Sequence, residues 1–211
     1  MAPHKAYTIV TSNISRTKAE ATEVSSSRPT FEFEFSFFIK DLFSKNKQHS
    51  IVMRQVKSSS ESNSSIIGVC DLDLVQSGSK PIHICFGDPD SSPNNVVWES
   101  LSCPGKFNAK AYELNIELEN GARKVFGWKR THDVEGVSLA TKKADWLNFK
   151  MVESESGRVV ARFVHHPWYG KKRGVFEIEE FEEAGKDWDR IVVLSGMAVV
   201  EYTRKVSGWS W

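Results

Sequence analysis

The chain has 211 residues, of which 26% are charged and 40% apolar, and its formal charge is +1. That length buries a substantial core, and with seven Trp and thirteen Phe the composition is that of a folded domain rather than a disordered tract. A charge so near zero gives no whole-molecule field for nucleic acid or an anionic membrane, so an electrostatic partner has to be met by a local patch.

Residues 1–29 contain one strand-like run, "AYTIV", followed by the polar and aperiodic "TSNISRTKAEATEVSSSRP". They read as a flexible leader, with the folded domain expected over residues 30–211. The opening "MAPHKAYTIVTSNIS" lacks the basic stretch and apolar core of about 7 to 15 residues that mark a secretory signal, so the expected location is intracellular and cytoplasmic. "TFEFEFSFF" then alternates Phe31, Phe33, Phe35 and Phe37 with Glu or Ser, the period of a strand with one buried face.

Further strands are predicted at "SIVMRQVK", "SIIGVCDLDLV", "PIHICFG", "NVVWESL", "AYELNIELEN" and "ARKVFGWKR". The segments between them, such as "SSSESNSS" and "GDPDSSPNN", carry the Gly, Pro, Asn, Asp and Ser of turns. Asn120 and Gly121 suit a type I′ hairpin turn, in which both central residues need positive φ. "DWLNFKMVESESGRVVARFV" supplies two more runs joined near Gly157, and "RGVFEIEEF" is the last strand candidate. So many short strands joined by short turns point to an antiparallel barrel or sandwich.

The pattern changes at residues 187–205, "DWDRIVVLSGMAVVEYTRK". Asp187 suits an N-cap, Asp189 the first turn of a helix, and Arg204 and Lys205 its last turn. "IVVLSGMAVV" is apolar around its whole circumference, which requires burial on every side, and it is far shorter than the roughly 20 apolar residues of a membrane span. A buried strand is the alternative, favoured by the β-branched residues but not by Ser195–Gly196 or the order of the end charges. A helix enclosed on all sides calls for a closed antiparallel barrel, which also leaves no free strand edge.

"VFGWKRTHD", "WLNFKMVESESGRVVARF", "KKRGVFEIEEF" and the final apolar segment together resemble the tubby C-terminal-like barrel family. That family includes the plant LURP-one-related proteins, the phospholipid scramblases and a branch of small uncharacterised fungal proteins. The resemblance covers residues 112–206, and residues 30–111 match by strand pattern alone. It implies a mainly β fold, a closed antiparallel barrel of about twelve strands around a buried hydrophobic C-terminal helix. The tubby branch holds phosphoinositides through basic side chains, but no residue here is matched to those, so the resemblance carries over the fold and not an activity. The palmitoylated Cys-rich segment and calcium site of the scramblase branch have no counterpart in this sequence.

The segment "HHPWYGKKRG" concentrates candidate ligand-binding residues: His165, His166, Trp168, Tyr169, Lys171, Lys172 and Arg173. The three cations suit a phosphate or lipid headgroup, and Trp168 and Tyr169 suit a membrane interface. A solvated hairpin whose aromatics close one end of the barrel is the plainer reading. Arg123, Lys124, Lys129 and Arg130, around Phe126 and Trp128, would extend a basic surface or simply face solvent. Cations interleaved with aromatics also serve single-stranded nucleic acid, but the neutral charge and the lack of an RNP motif argue against it.

No cofactor, metal ligand or catalytic residue is assigned. Cys70, Cys85 and Cys103 lack CxxC spacing, and the histidines lack HExxH or HxH spacing. There is no GxSxG, GxxxxGK[ST] or GxGxxG. Asp88 and Asp90 lie in a segment without the spacing of a calcium loop. The expected function is a non-enzymatic binding or adaptor module for anionic lipid headgroups or a protein partner, peripheral at a membrane. The alternatives are an enzyme or accessory protein holding a small apolar molecule at the barrel mouth near His165, His166, Tyr169 or Cys103, and a protein-interaction domain.

Overall fold

The computed structural model describes residues 5–12, 17–36, 49–56, 64–72, 81–103, 111–132, 147–166 and 171–207. Twelve strands close into one antiparallel barrel. In chain order they are β1 (Lys5–Thr11), β2 (Lys18–Glu23), β3 (Pro29–Phe35), β4 (Ile51–Gln55), β5 (Ser65–Asp71) and β6 (Ile82–Phe86). β7 (Val97–Ser102), β8 (Ala111–Glu117), β9 (Arg123–Arg130), β10 (Phe149–Glu153), β11 (Val159–His165) and β12 (Lys172–Ile178) complete the wall. β1 pairs with both β2 and β12, which shuts the seam between the chain's first and last strands.

Described residues of the predicted leader therefore supply two strands of the wall, β1 and β2. β2, "KAEATE", buries Ala19 and Ala21 and turns Glu20 outward, a two-residue period that small side chains and low β-propensity concealed. β3 behaves as its alternation requires, with Phe31, Phe33 and Phe35 all buried.

The apolar tail is helix α1 (Trp188–Val206), and every residue from Ile191 to Thr203 is buried. Asp187 makes no capping hydrogen bond; its carboxylate meets Arg190 at 3.0 Å, and a 3-10 segment over Glu182–Asp187 leads the chain into the helix. Asp189 in the first turn accepts from Lys5 Nζ and Tyr7 Oη, both at 2.7 Å, fastening the helix start to β1. At mid-helix Trp128 Nε1 donates to Ser195 Oγ at 3.0 Å, so the indole N–H has its partner inside the barrel.

Gly196 shows how closely wall and filling fit, since a Cβ there would lie 2.4 Å from Phe176 and 3.0 Å from Trp128. The hairpin between β8 and β9 departs from the expected type I′ turn. Gly121 N donates to Leu118 O, so Glu119 and Asn120 are the central residues, and Gly121 follows with φ 80° as the bulge residue of a longer loop.

Candidate functional site

Because neighbouring strands alternate in direction, successive connections alternate between the two ends of the barrel. The connection from β11 to β12, which holds the basic-aromatic segment, lies at the end where α1 finishes, here called the carboxyl rim. Trp168 and Tyr169 lie outside the described residues. Lys171 is exposed, and Lys172 and His166 are half-buried at the rim.

His165 and Arg173 lie inside the wall. The alternation of β12 would send Arg173 outward, but the register between β1 and β12 slips between Ile9 and Val10, pairing Ile9 with Gly174 and Val10 with Lys172. The extra residue in this bulge is Arg173, and it is re-aimed inward. Its Nη1 donates to Glu201 Oε1 at 2.6 Å, its Nε to Thr11 Oγ1 at 3.0 Å, and its guanidinium lies 4.7 Å from the centre of the Phe35 ring. Glu201 is fully buried and takes Arg204 on its other oxygen, at 2.9 and 2.7 Å. Arg173 thus joins wall to helix and is committed to the interior.

His165 packs at the same end, and its backbone N–H donates to Oδ1 of buried Asn148 at 2.8 Å. Tyr112 Oη meets Thr203 Oγ1 at 3.2 Å, and burial, foremost among several influences, pushes the phenol up to about 12. Burial likewise lowers Lys205 from the usual lysine range, and neighbouring Arg204 adds to the effect. The last turns of α1 reach this end, where Glu201 meets Arg173 and Thr203 meets Tyr112. Cys103 is half-buried against the core, whereas the thiols of Cys70 and Cys85 are raised chiefly by burial, Cys85 to about 11.

The outer wall carries an arrangement that only the strand register makes visible. Lys129 of β9 is directly opposite Lys150 of β10, and Lys150 is directly opposite Arg162 of β11. Three cations thus occupy consecutive positions of one row, with directly opposed Cβ atoms about 5 Å apart. Arg162 has Glu179 at 3.7 Å, while Lys129 and Lys150 make no ion pair among the described residues. Like charges directly opposite each other oppose folding, and the row meets its first carboxylate one strand further on, at Glu177 of β12 opposite Arg162. Lys171 and Lys172 stand beyond the row toward the carboxyl rim.

Arg123 and Lys124 do not extend this surface. They lie at the opposite, amino rim, where Lys124 Nζ bridges Glu153 at 2.7 Å and Glu183 at 3.1 Å. Hydrogen bonds from Lys124 and then Ser156 hold the Glu153 carboxyl below its usual range. A surface depression beside Arg123, Lys124, Val125, Glu153, Ser154 and Glu155 is on this side too.

Among the described residues there is no cluster of three or more His, Cys, Asp or Glu side chains placed to hold a metal, and no helix long and apolar enough to cross a membrane. Comparison with known proteins finds no matching family model, no matching curated protein and no matching solved structure.

Proposed function

We propose that the protein is a non-enzymatic tubby-like binding module that docks on anionic lipid headgroups at the face formed by Lys129, Lys150 and Arg162, with Lys171 and Lys172 extending it. The observation that carries this reading is the direct opposition of Lys129 and Lys150 beside Arg162. Such a row weakens the fold in isolation and is relieved by a bound anion, as expected of groups placed for a ligand. Each cation near an anionic bilayer contributes about 1 kcal/mol, so the row supports reversible, salt-sensitive attachment.

Lys150→Glu separates this account from a purely structural one. The new carboxylate faces Lys129 and Arg162, so the fold gains about 0.2–1 kcal/mol for each opposite-charge pair. Binding to phosphatidylserine-containing vesicles falls roughly thirtyfold, since one attraction is lost and one repulsion added, about 2 kcal/mol together. Vesicle co-sedimentation and urea unfolding read the two effects. Wild-type binding no stronger to anionic than to phosphatidylcholine vesicles, or K150E binding like wild type, contradicts the proposal.

A further inference from the structure

The ladder between β7 and β8 consists of two pairs, Leu101 with Leu114 and Ser102 with Glu113. On its far side β7 pairs with β6 from Val97 to Leu101, and β8 pairs with β9 throughout its length. The two strands therefore part toward the amino rim, leaving Val97–Ser100 and Asn115–Glu117 with a ladder on one side each. Val97 shares its strand face with buried Leu101 and yet is 54% exposed, and neighbouring Trp98 is 43% exposed. The wall stands open here, and a strand edge with backbone groups outside any ladder is a template for another strand.

Arg123 lies across the opening. Its Nη2 donates to the backbone oxygen of Asn115 at 2.9 Å and to both Glu99 oxygens at 2.8 and 2.9 Å, and its Nε donates to Asn115 Oδ1 at 3.3 Å. The guanidinium thus takes a carbonyl that a neighbouring strand would otherwise take. Glu99 and Glu117 flank the arginine, Glu117 at 3.8 Å from its Nη1, and Glu113 lies where the two strands still pair, so three carboxylates face one guanidinium here.

We propose that this opening is a β-augmentation site for an extended, basic segment of a partner protein. The backbone of such a segment pairs with Val97–Ser100, its lysines or arginines meet Glu113 and Glu117 on the outer face, and its alternate apolar residues cover Val97 on the other face. The strand edge demands an extended chain, and the acidic border selects a basic one. The site is separate from the cationic row and does not depend on lipid binding.

The probe is a capped synthetic peptide of alternating lysine and valine, titrated into the wild-type chain and into Arg123→Ala by calorimetry, with amide shifts mapped by NMR. A glutamate–valine peptide and a lysine–valine peptide N-methylated along one edge are the comparisons. The expected result is binding that shifts the amides of Val97–Ser100 and becomes about tenfold tighter in R123A, where the Asn115 carbonyl is released from a charge-assisted bond. N-methylation weakens binding at least about tenfold by removing ladder donors. Equal binding of the N-methylated or the glutamate peptide, shifts at another face, self-association of R123A in place of peptide binding, or no binding by R123A overturns the proposal.

Discussion

Glu201 illustrates how one residue can hold wall and filling together. A carboxylate with no exposed surface, between Arg173 of the wall and Arg204 of its own helix, is tolerable only while both charges are matched. Glu201→Gln leaves the buried Arg173 without its counter-charge and is expected to lower unfolding free energy in urea by about 3–5 kcal/mol. Replacing both partners, Arg173→Met with Glu201→Met, recovers most of that loss because apolar side chains of similar volume need no counter-charge. A Glu201→Gln loss below about 1 kcal/mol would show the pair to be incidental. The sequence grouped Arg173 with Lys171 and Lys172 in an exposed-looking basic-aromatic segment, and nothing in that pattern signals the bulge that turns the side chain in. Glu201 read as the end of the apolar run because a charge ordinarily ends one, whereas burial continues to Thr203.

At the level of elements, the helix was legible and its cap was not. Full-circumference apolarity fixes the environment of α1, whereas the choice between an Asp187 cap and an Asp187–Arg190 pair depends on the preceding 3-10 segment. β2 escaped notice because alternating alanine and charge carries little hydrophobic signal. The opposition of Lys129, Lys150 and Arg162 was hidden for another reason: these residues become neighbours only through the register of three strands. Gly196 gives the packing a direct test. Alanine is the better helix former by about 1 kcal/mol, yet its methyl group would enter the space of the Phe176 and Trp128 rings. Gly196→Ala is expected to lower stability by about 1–3 kcal/mol, as overpacking does, in thermal or urea unfolding. A net gain would mean that the helix has slack inside the wall.

For the molecule as a whole, the two rims differ in character. Among the described residues the carboxyl rim gathers Arg130, Lys171, Lys172, Arg204 and Lys205, and the amino rim sets Glu117, Glu119, Glu153, Glu182 and Glu183 beside Arg123 and Lys124. A net charge of +1 thus conceals local groupings of charge that the strand order, rather than the composition, creates. With α1 inside the closed barrel, the exposed charges of the described residues lie on the rims and the outer wall. The central claim is that α1 is the core of the closed barrel and cannot leave without unfolding it. Native-state hydrogen exchange tests this most directly. The account predicts that amides of Ile191–Thr203 exchange only through global unfolding, with the same opening free energy as the innermost strand amides. Exchange of those helix amides at a distinctly lower free energy, while the strands remain protected, would contradict it.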